Sequence, residues 1–103
     1  MKKLLLSAAL LALCTAPLLA LDGKALYSEK KCGMCHGMDG NSTSKMFPSL
    51  AGKAADFLAA ETMKIKSGER KGRMTVAMKN NAGVKHLSEA EALAIGEYLA
   101  SVK

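Results

Sequence analysis

Apolar residues recur after residue 21 at the three- and four-residue spacing of helices, and no segment shows a convincing strand pattern. The spacing predicts one helix over residues 22–31, a second over 54–66, a short third over 75–81 and a last helix that opens at Ser88. The segment between the first two is rich in Gly, Ser, Asn and Thr, which is typical of a loop. The pattern therefore predicts an all-α domain of about four helices.

Local signals place several helix ends. Asp22 is suited to cap the first helix, and Gly68 lies just beyond the second. Ser88 and Glu91 have the spacing of a capping box at the start of the last helix. Gly96 inside that helix costs about 1 kcal/mol relative to Ala. We expect a close helix–helix crossing at this glycine, with the first helix as its partner.

The first 20 residues have the pattern of an export signal. Two lysines precede an uncharged run over residues 4–13, and small residues follow it. The run is too short and wrongly flanked for a transmembrane helix, so we predict a signal peptide over residues 1–20 and one domain over residues 21–103. A lipoprotein anchored through Cys14 is an alternative, although Leu13 stands where a small residue is expected. An uncleaved membrane anchor is a further alternative.

The candidate chemistry is concentrated in the run Cys32-Gly33-Met34-Cys35-His36. This C-x-x-C-H pattern is the signature of covalent c-type haem attachment. Each thiol can add to one vinyl group of a haem, and the adjacent imidazole can bind its iron from below. Haem is attached to such motifs outside the cytoplasmic membrane of bacteria, which agrees with the predicted export.

Two other uses of paired cysteines have to be weighed. A redox dithiol needs a βαβ scaffold, which the helical pattern does not predict. A structural zinc site needs four ligands, and after Cys32, Cys35 and His36 the only other candidate beyond residue 20 is His86. Both alternatives remain, but haem is favoured.

The size of the domain also favours a covalent cofactor. The 103 residues less the first 20 leave 83, with no Trp, two Phe and two Tyr in the whole chain. A domain of this length has a small core and usually needs a disulfide, a metal or a similar constraint. A tethered haem would supply the missing apolar core.

The second axial ligand of the iron is open at this stage. Met74 directly follows the Gly72-Arg73 turn between the second and last helices, where the chain can fold over the opposite face of the haem. Met78 is the alternative, and His86 is a lesser one. Each of the other methionines beyond residue 20 can serve as apolar filler; these are Met34, Met38, Met46 and Met63.

The chain resembles the small monohaem class I cytochromes c of bacterial periplasms over its whole predicted mature length. The resemblance is carried by residues 22–27, 32–41, 47–52, 74–75, 87–89 and 98–99. It implies an all-α fold, with about four helices around one covalent haem c and with the first and last helices crossing.

The resemblance also implies a role for particular residues. Cys32 and Cys35 would form thioethers to the haem, and His36 would be the proximal iron ligand. The carbonyl of Pro48 would accept a hydrogen bond from the other nitrogen of that imidazole. Met74 matches the axial methionine, while the long stretch after it puts Met78 nearer the usual distance and keeps it as the alternative.

Six-coordinate His/Met iron has no open position, so these features predict a soluble periplasmic carrier of single electrons between respiratory partners rather than an enzyme. The alternative is a five-coordinate haem protein that binds or senses a small gas. We expect a monomer, with no nucleic-acid partner and no stable membrane insertion.

The charge of the chain suggests how it would meet its partners. The net charge is +6, and loss of Lys2 and Lys3 leaves +4. Basic residues cluster on either side of Met74, and a positive surface there would steer acidic redox proteins toward the haem. An ordinary solvated face is the alternative explanation. The cluster comprises Lys64, Lys66, Arg70, Lys71, Arg73, Lys79 and Lys85.

Overall fold

The computed structural model describes residues 21–72 and 74–103, so the predicted signal peptide and Cys14 lie outside the described residues. The described residues form helices and connecting loops without a strand, and the predicted all-α class is confirmed. None of their helices has the length and apolar character that crossing a membrane requires. In chain order the helices are α1 (Gly23–Glu29), α2 (Gly33–His36), α3 (Ala55–Ser67), α4 (Thr75–Lys79), α5 (Ala82–Lys85) and α6 (Glu89–Ser101).

Helix α1 begins where its cap predicts and ends earlier than expected. The Asp22 side chain accepts a hydrogen bond from the Ala25 amide at 3.2 Å. The helix does not run to Lys31, because Lys31 has a left-handed φ of 63° that breaks the helical geometry. The break reverses the chain tightly, so the Cys32 amide donates to the carbonyl of Tyr27 at 3.2 Å.

The later helices follow their local signals. Helix α3 ends at Gly68, which adopts a φ of 85°. The capping box of α6 is present, with the Ser88 hydroxyl accepting from the Glu91 amide at 3.1 Å and the Glu91 carboxylate accepting from the Ser88 amide at 3.0 Å.

The segment between Met74 and α6 differs from the prediction. Helix α4 stops at Lys79 rather than continuing to Asn81, because the Asn81 side chain accepts from the Gly83 amide at 2.8 Å and caps α5. Helices α2 and α5 were not predicted, since four residues are too few to show a helical period.

Helix α6 forms the centre of the fold and packs against both α1 and α3. The rings of Tyr27 and Tyr98 lie 5.8 Å apart between centroids, where α1 crosses α6. The predicted crossing of the first and last helices is thus confirmed. The buried cluster consists of Leu26, Tyr27, Leu58, Leu87, Ala92, Ile95 and Leu99.

Two glycines allow helix α6 to approach its neighbours. A Cβ on Gly23 of α1 would overlap the carbonyl of Ala94, so Gly23 is the residue that permits the α1–α6 crossing. A Cβ on Gly96 would lie 2.5 Å from the carbonyl oxygen of Ala55 in α3. The prediction of a close crossing at Gly96 is confirmed, but the predicted partner was wrong, because Gly96 faces α3 rather than α1.

We expect Gly96→Ala to destabilise the protein although Ala is the better helix former. The gain in helix propensity is about 1 kcal/mol, whereas forcing α3 and α6 apart costs about 1–3 kcal/mol and also weakens neighbouring contacts. The measurement is the free energy of unfolding in denaturant. Gly72→Ala is the control, because a Cβ there meets only the Thr75 side chain at 3.7 Å. Equal stability of the two variants would contradict the packing explanation.

Candidate functional site: the cysteine pair, His36 and the Pro48 loop

The C-x-x-C-H segment is shaped by one short helical turn. The amides of Cys35 and His36 donate to the carbonyl of Cys32 at 3.3 and 3.1 Å, which puts the two cysteines one turn apart. The turn ends at Gly37, whose φ is 90° and whose added Cβ would overlap the carbonyl of Asn41. A side chain is therefore not tolerated immediately after His36.

The three candidate ligands differ in exposure. The imidazole of His36 is buried, whereas Cys35 is exposed and Cys32 is half-buried. Burial raises the pKa of the Cys32 thiol to about 11, so this thiol is neutral at physiological pH. Both cysteines are free thiols, the form required for addition to a vinyl group.

The His36 ring is fixed by the loop that precedes α3. Its Nδ1 lies 2.9 Å from the carbonyl oxygen of Pro48. Since a carbonyl only accepts, Nδ1 carries the proton and Nε2 keeps its lone pair available to a metal. The ring of Phe47 lies edge-on at 6.2 Å and limits the space in which the imidazole can turn.

The position of Pro48 depends in turn on the core. The amides of Leu50 and Ala51 donate to the carbonyl of Gly40 at 2.7 and 3.1 Å, which closes the loop on itself. The amide of Gly52 donates to the carbonyl of Leu99 in α6 at 2.8 Å. The loop is thus attached to α6, and this attachment restricts the movement of Pro48, the hydrogen-bond partner of His36.

The methionines of the described residues fall into three groups. Met74 and Met78 are half-buried and lie four residues apart, so they share one face of the α4 segment. Met63 packs against the buried cluster of the core. The remaining three are exposed: Met34, Met38 and Met46.

The basic residues around Met74 do not all have the same surroundings. Lys66 is half-buried and donates to the carbonyl of Leu87 at 2.7 Å, which ties α3 to the start of α6. Lys64 and Arg70 pair with Glu61 at 3.2 and 3.4 Å. His86, the alternative iron or zinc ligand, is exposed at the end of α5.

Three exposed lysines of the same cluster make no ion pair within the described part of the chain, namely Lys71, Lys79 and Lys85. Lys71 and Lys79 are exposed and, together with Arg70, line a cleft of about 240 Å³ between α3 and α4. Thr75 and Val76 complete its wall. The structure therefore separates cations that stabilise the fold from cations that remain available at the surface.

One residue of the site was missed by sequence reasoning. Tyr27 occupies a buried position of the first helix, and its hydroxyl donates to the carbonyl of Gly37 at 2.6 Å. The sequence signal for such a role is weak. Tyr and Phe can both fill a core position, and only the hydroxyl of Tyr indicates a hydrogen bond.

Comparison with known proteins identifies the class to which this fold and site belong. Residues 20–103 match the Cytochrome c family, so the chain belongs to that family. Its helical fold and size are those of a monohaem class I cytochrome c, as predicted, and the cofactor of the family is a covalently attached haem c.

Three relatives illustrate this similarity. The chain is 36% identical over 106 residues to cytochrome c4 of Pseudomonas aeruginosa, covering all of this chain and 50% of that protein. It is 33% identical over 111 residues to cytochrome c-551 of Stutzerimonas stutzeri, with both chains covered in full. It is also 34% identical over 84 residues to the thiosulfate dehydrogenase electron acceptor of Stutzerimonas stutzeri, covering 82% of this chain and 38% of that protein. The chain thus spans about half or less of the length of the first and third relatives.

The residues present fit a covalent haem. Two free thiols one turn apart match the two attachment points of the porphyrin. The adjacent imidazole has its Nδ1 engaged by Pro48, so Nε2 is the nitrogen available for iron. The fit rests on the donor chemistry of Cys32, Cys35 and His36 in this geometry.

We expect Pro48→Ala to loosen the orientation of His36. The pyrrolidine ring restricts the loop, and its loss raises the entropy of the unfolded chain, which lowers the free energy of unfolding by about 0.4–1 kcal/mol. The His36 Nδ1 proton should then exchange faster with solvent in NMR spectra of the reduced protein. Lys45→Ala, an exposed change in the same loop, is the control. If the exchange rate of the His36 Nδ1 proton were the same in Pro48→Ala as in the wild type, the proline ring would not be needed to orient His36.

Proposed function

We propose that Cys32 and Cys35 attach the haem through thioethers and that His36 binds its iron through Nε2. The supporting observation is the 2.9 Å contact between His36 Nδ1 and the Pro48 carbonyl, which leaves the opposite nitrogen available to bind a metal. The neutral Cys32 thiol and the exposed Cys35 thiol suit addition of S–H across a vinyl group, with the proton passing to carbon.

The second axial ligand in this proposal is Met74, with Met78 as the alternative. Both thioethers lie on one face of the α4 segment, and the other described methionines are either core filler or exposed. Met74 immediately precedes the helix, where the backbone is less constrained than at Met78 inside it. A thioether ligand raises the reduction potential and leaves no open coordination position.

The resulting function is that of an electron carrier, not an enzyme. The haem iron supplies the chemistry by cycling between Fe(II) and Fe(III). The chain binds and orients the group: Pro48 fixes the His36 ring, and the core holds the Pro48 loop. No side chain has to act as acid, base or nucleophile.

We place this carrier in the periplasm, after removal of residues 1–20 as a signal peptide. The relative named thiosulfate dehydrogenase electron acceptor supports a role in passing electrons between respiratory proteins. The domain of residues 21–103 would act as a monomer that docks transiently, without a nucleic-acid partner or stable membrane insertion.

The ligand assignment is tested by comparing the full-length exported protein with Met74→Ala and Met78→Ala. Haem staining after denaturing electrophoresis should be positive in all three, because only a covalent haem survives denaturation. The oxidised wild type should show the weak long-wavelength absorbance band of an iron–thioether bond. Met74→Ala should lose this band and its reduction potential should fall, whereas Met78→Ala should keep both.

The opposite pattern would transfer the axial role to Met78. If the oxidised wild type lacks the band and the reduced wild type binds carbon monoxide rapidly, the protein is instead the five-coordinate gas-binding alternative. Absence of haem staining in the wild type would point to a zinc or dithiol module. Each outcome therefore separates one class of function from the others.

The charge distribution supports an acidic redox partner. Residues 64–85 contain seven Lys or Arg and only one acid, Glu69, whereas the rest of residues 21–103 contains six cations and eight acids. The excess positive charge of the domain is therefore confined to the segment that surrounds Met74 and Met78. Lys71, Lys79 and Arg70 line the cleft there, which would accept carboxylates of a partner.

We expect Lys79→Glu to slow oxidation of the reduced protein by ferricyanide and to speed oxidation by a cationic cobalt complex. Lys53→Glu is the matched control, because it makes the same charge change at an exposed site outside the basic segment. The difference should be severalfold at low salt. It should disappear near 1 M salt, where the Debye length is about 3 Å.

Stopped-flow rates with both oxidants provide the measurement. Equal effects of the two lysine changes would mean that overall charge, rather than the cleft, steers encounter. Rates that do not depend on salt in the wild type would remove the electrostatic docking proposal and leave the basic residues as an ordinary solvated face.

A further inference from the structure

Tyr27 contacts both ends of the haem-attachment segment. Its backbone carbonyl accepts from the Cys32 amide at 3.2 Å, and its side-chain hydroxyl donates to the Gly37 carbonyl at 2.6 Å. The segment between these two bonds contains both cysteines and His36. One residue of α1 therefore spans the whole turn that would hold the haem, with one bond before it and one after it.

The Gly37 carbonyl is a junction between His36 and the loop that carries Pro48. It also accepts from the Gly40 amide at 3.3 Å, and the Gly40 carbonyl in turn accepts from Leu50 at 2.7 Å. The φ of 90° at Gly37 favours glycine, so this position has no side chain that could pack and restrict the backbone. The Tyr27 hydroxyl supplies the missing constraint from outside the loop.

The hydroxyl of Tyr27 is not needed for packing of its ring in the core. Only 2% of Tyr27 is exposed, and its ring lies next to Gly33 and 5.8 Å from the ring of Tyr98 between centroids. Phe would bury the same ring without the cost of desolvating a hydroxyl. Burial raises the pKa of Tyr27 to about 12, so the hydroxyl remains a donor at physiological pH.

We propose that Tyr27 is a positioning residue for the haem site. Its hydroxyl fixes the Gly37 peptide and, through the residue 37–40 turn and the Pro48 loop, the orientation of the His36 ring. The proposal rests on the proposed haem attachment through Cys32, Cys35 and His36, and it assigns to α1 a role in ligand geometry besides its role in packing.

The test compares Tyr27→Phe with Tyr98→Phe in the haem-loaded protein. Both changes remove one hydroxyl from the same pair of contacting rings, but in residues 21–72 and 74–103 only the Tyr27 hydroxyl bonds to the attachment segment. In Tyr27→Phe the His36 Nδ1 proton should exchange about fivefold to tenfold faster, as expected for loss of one buried hydrogen bond. The hyperfine-shifted haem methyl resonances of the oxidised protein, which report ligand orientation, should move. Tyr98→Phe should leave both unchanged.

A Tyr27→Phe protein with lower stability but unchanged methyl shifts and Nδ1 exchange would overturn the proposal and reduce Tyr27 to core packing. If Tyr27→Phe does not fold, the wild type decides, since a protected Tyr27 hydroxyl proton must then be visible as a slowly exchanging resonance close to Gly37. A rapidly exchanging hydroxyl would overturn the proposal. Failure of the proposed function itself is distinguishable, because wild-type protein would then lack haem staining altogether.

Discussion

The hydrogen bond from His36 Nδ1 to the Pro48 carbonyl is the contact on which the candidate site depends. It selects the tautomer of the imidazole and leaves Nε2 as the only nitrogen with a free lone pair. The bond joins a four-residue helix to a loop without regular structure, so neither partner is rigid by itself. Rigidity comes from α6, whose Leu99 carbonyl holds Gly52 at the far end of that loop.

The arrangement explains why the α1–α6 crossing has to be close. Gly23 lets the backbones approach, and Tyr27 then reaches both the core and the attachment turn. A wider crossing would withdraw the Tyr27 hydroxyl from Gly37 as well as open the small core. The packing of the terminal helices and the geometry of the C-x-x-C-H turn are therefore coupled through one aromatic residue, in a domain with a small core.

Features set by neighbouring residues could be predicted from the sequence, and features set by distant ones could not. The Asp22 cap, the Gly68 end of α3 and the Ser88–Glu91 box are local, and each is present. The partner of Gly96 depends on which helices meet, which no periodicity encodes. Helix α5 was not predicted, because its start is defined by the capping side chain of Asn81 and not by an apolar pattern. The C-x-x-C-H motif predicts which side chains would hold a haem, whereas the spacing of the methionines leaves two candidate thioethers on one face of the α4 segment.

The basic cluster shows how the same charge can have two physical roles. Lys66 lies half-buried against the Leu87 carbonyl, where its ammonium satisfies a backbone acceptor and joins α3 to α6. Lys79 is exposed beside a cleft, where solvent screens it and no acid of the described chain neutralises it. An acidic partner offsets part of the long-range field of a cation, as Glu61 does for Lys64 and Arg70, whereas an ammonium without an acidic partner keeps its net charge. The positive potential that an approaching protein meets therefore comes mainly from the exposed lysines of the cluster that have no acidic partner among the described residues, Lys71, Lys79 and Lys85.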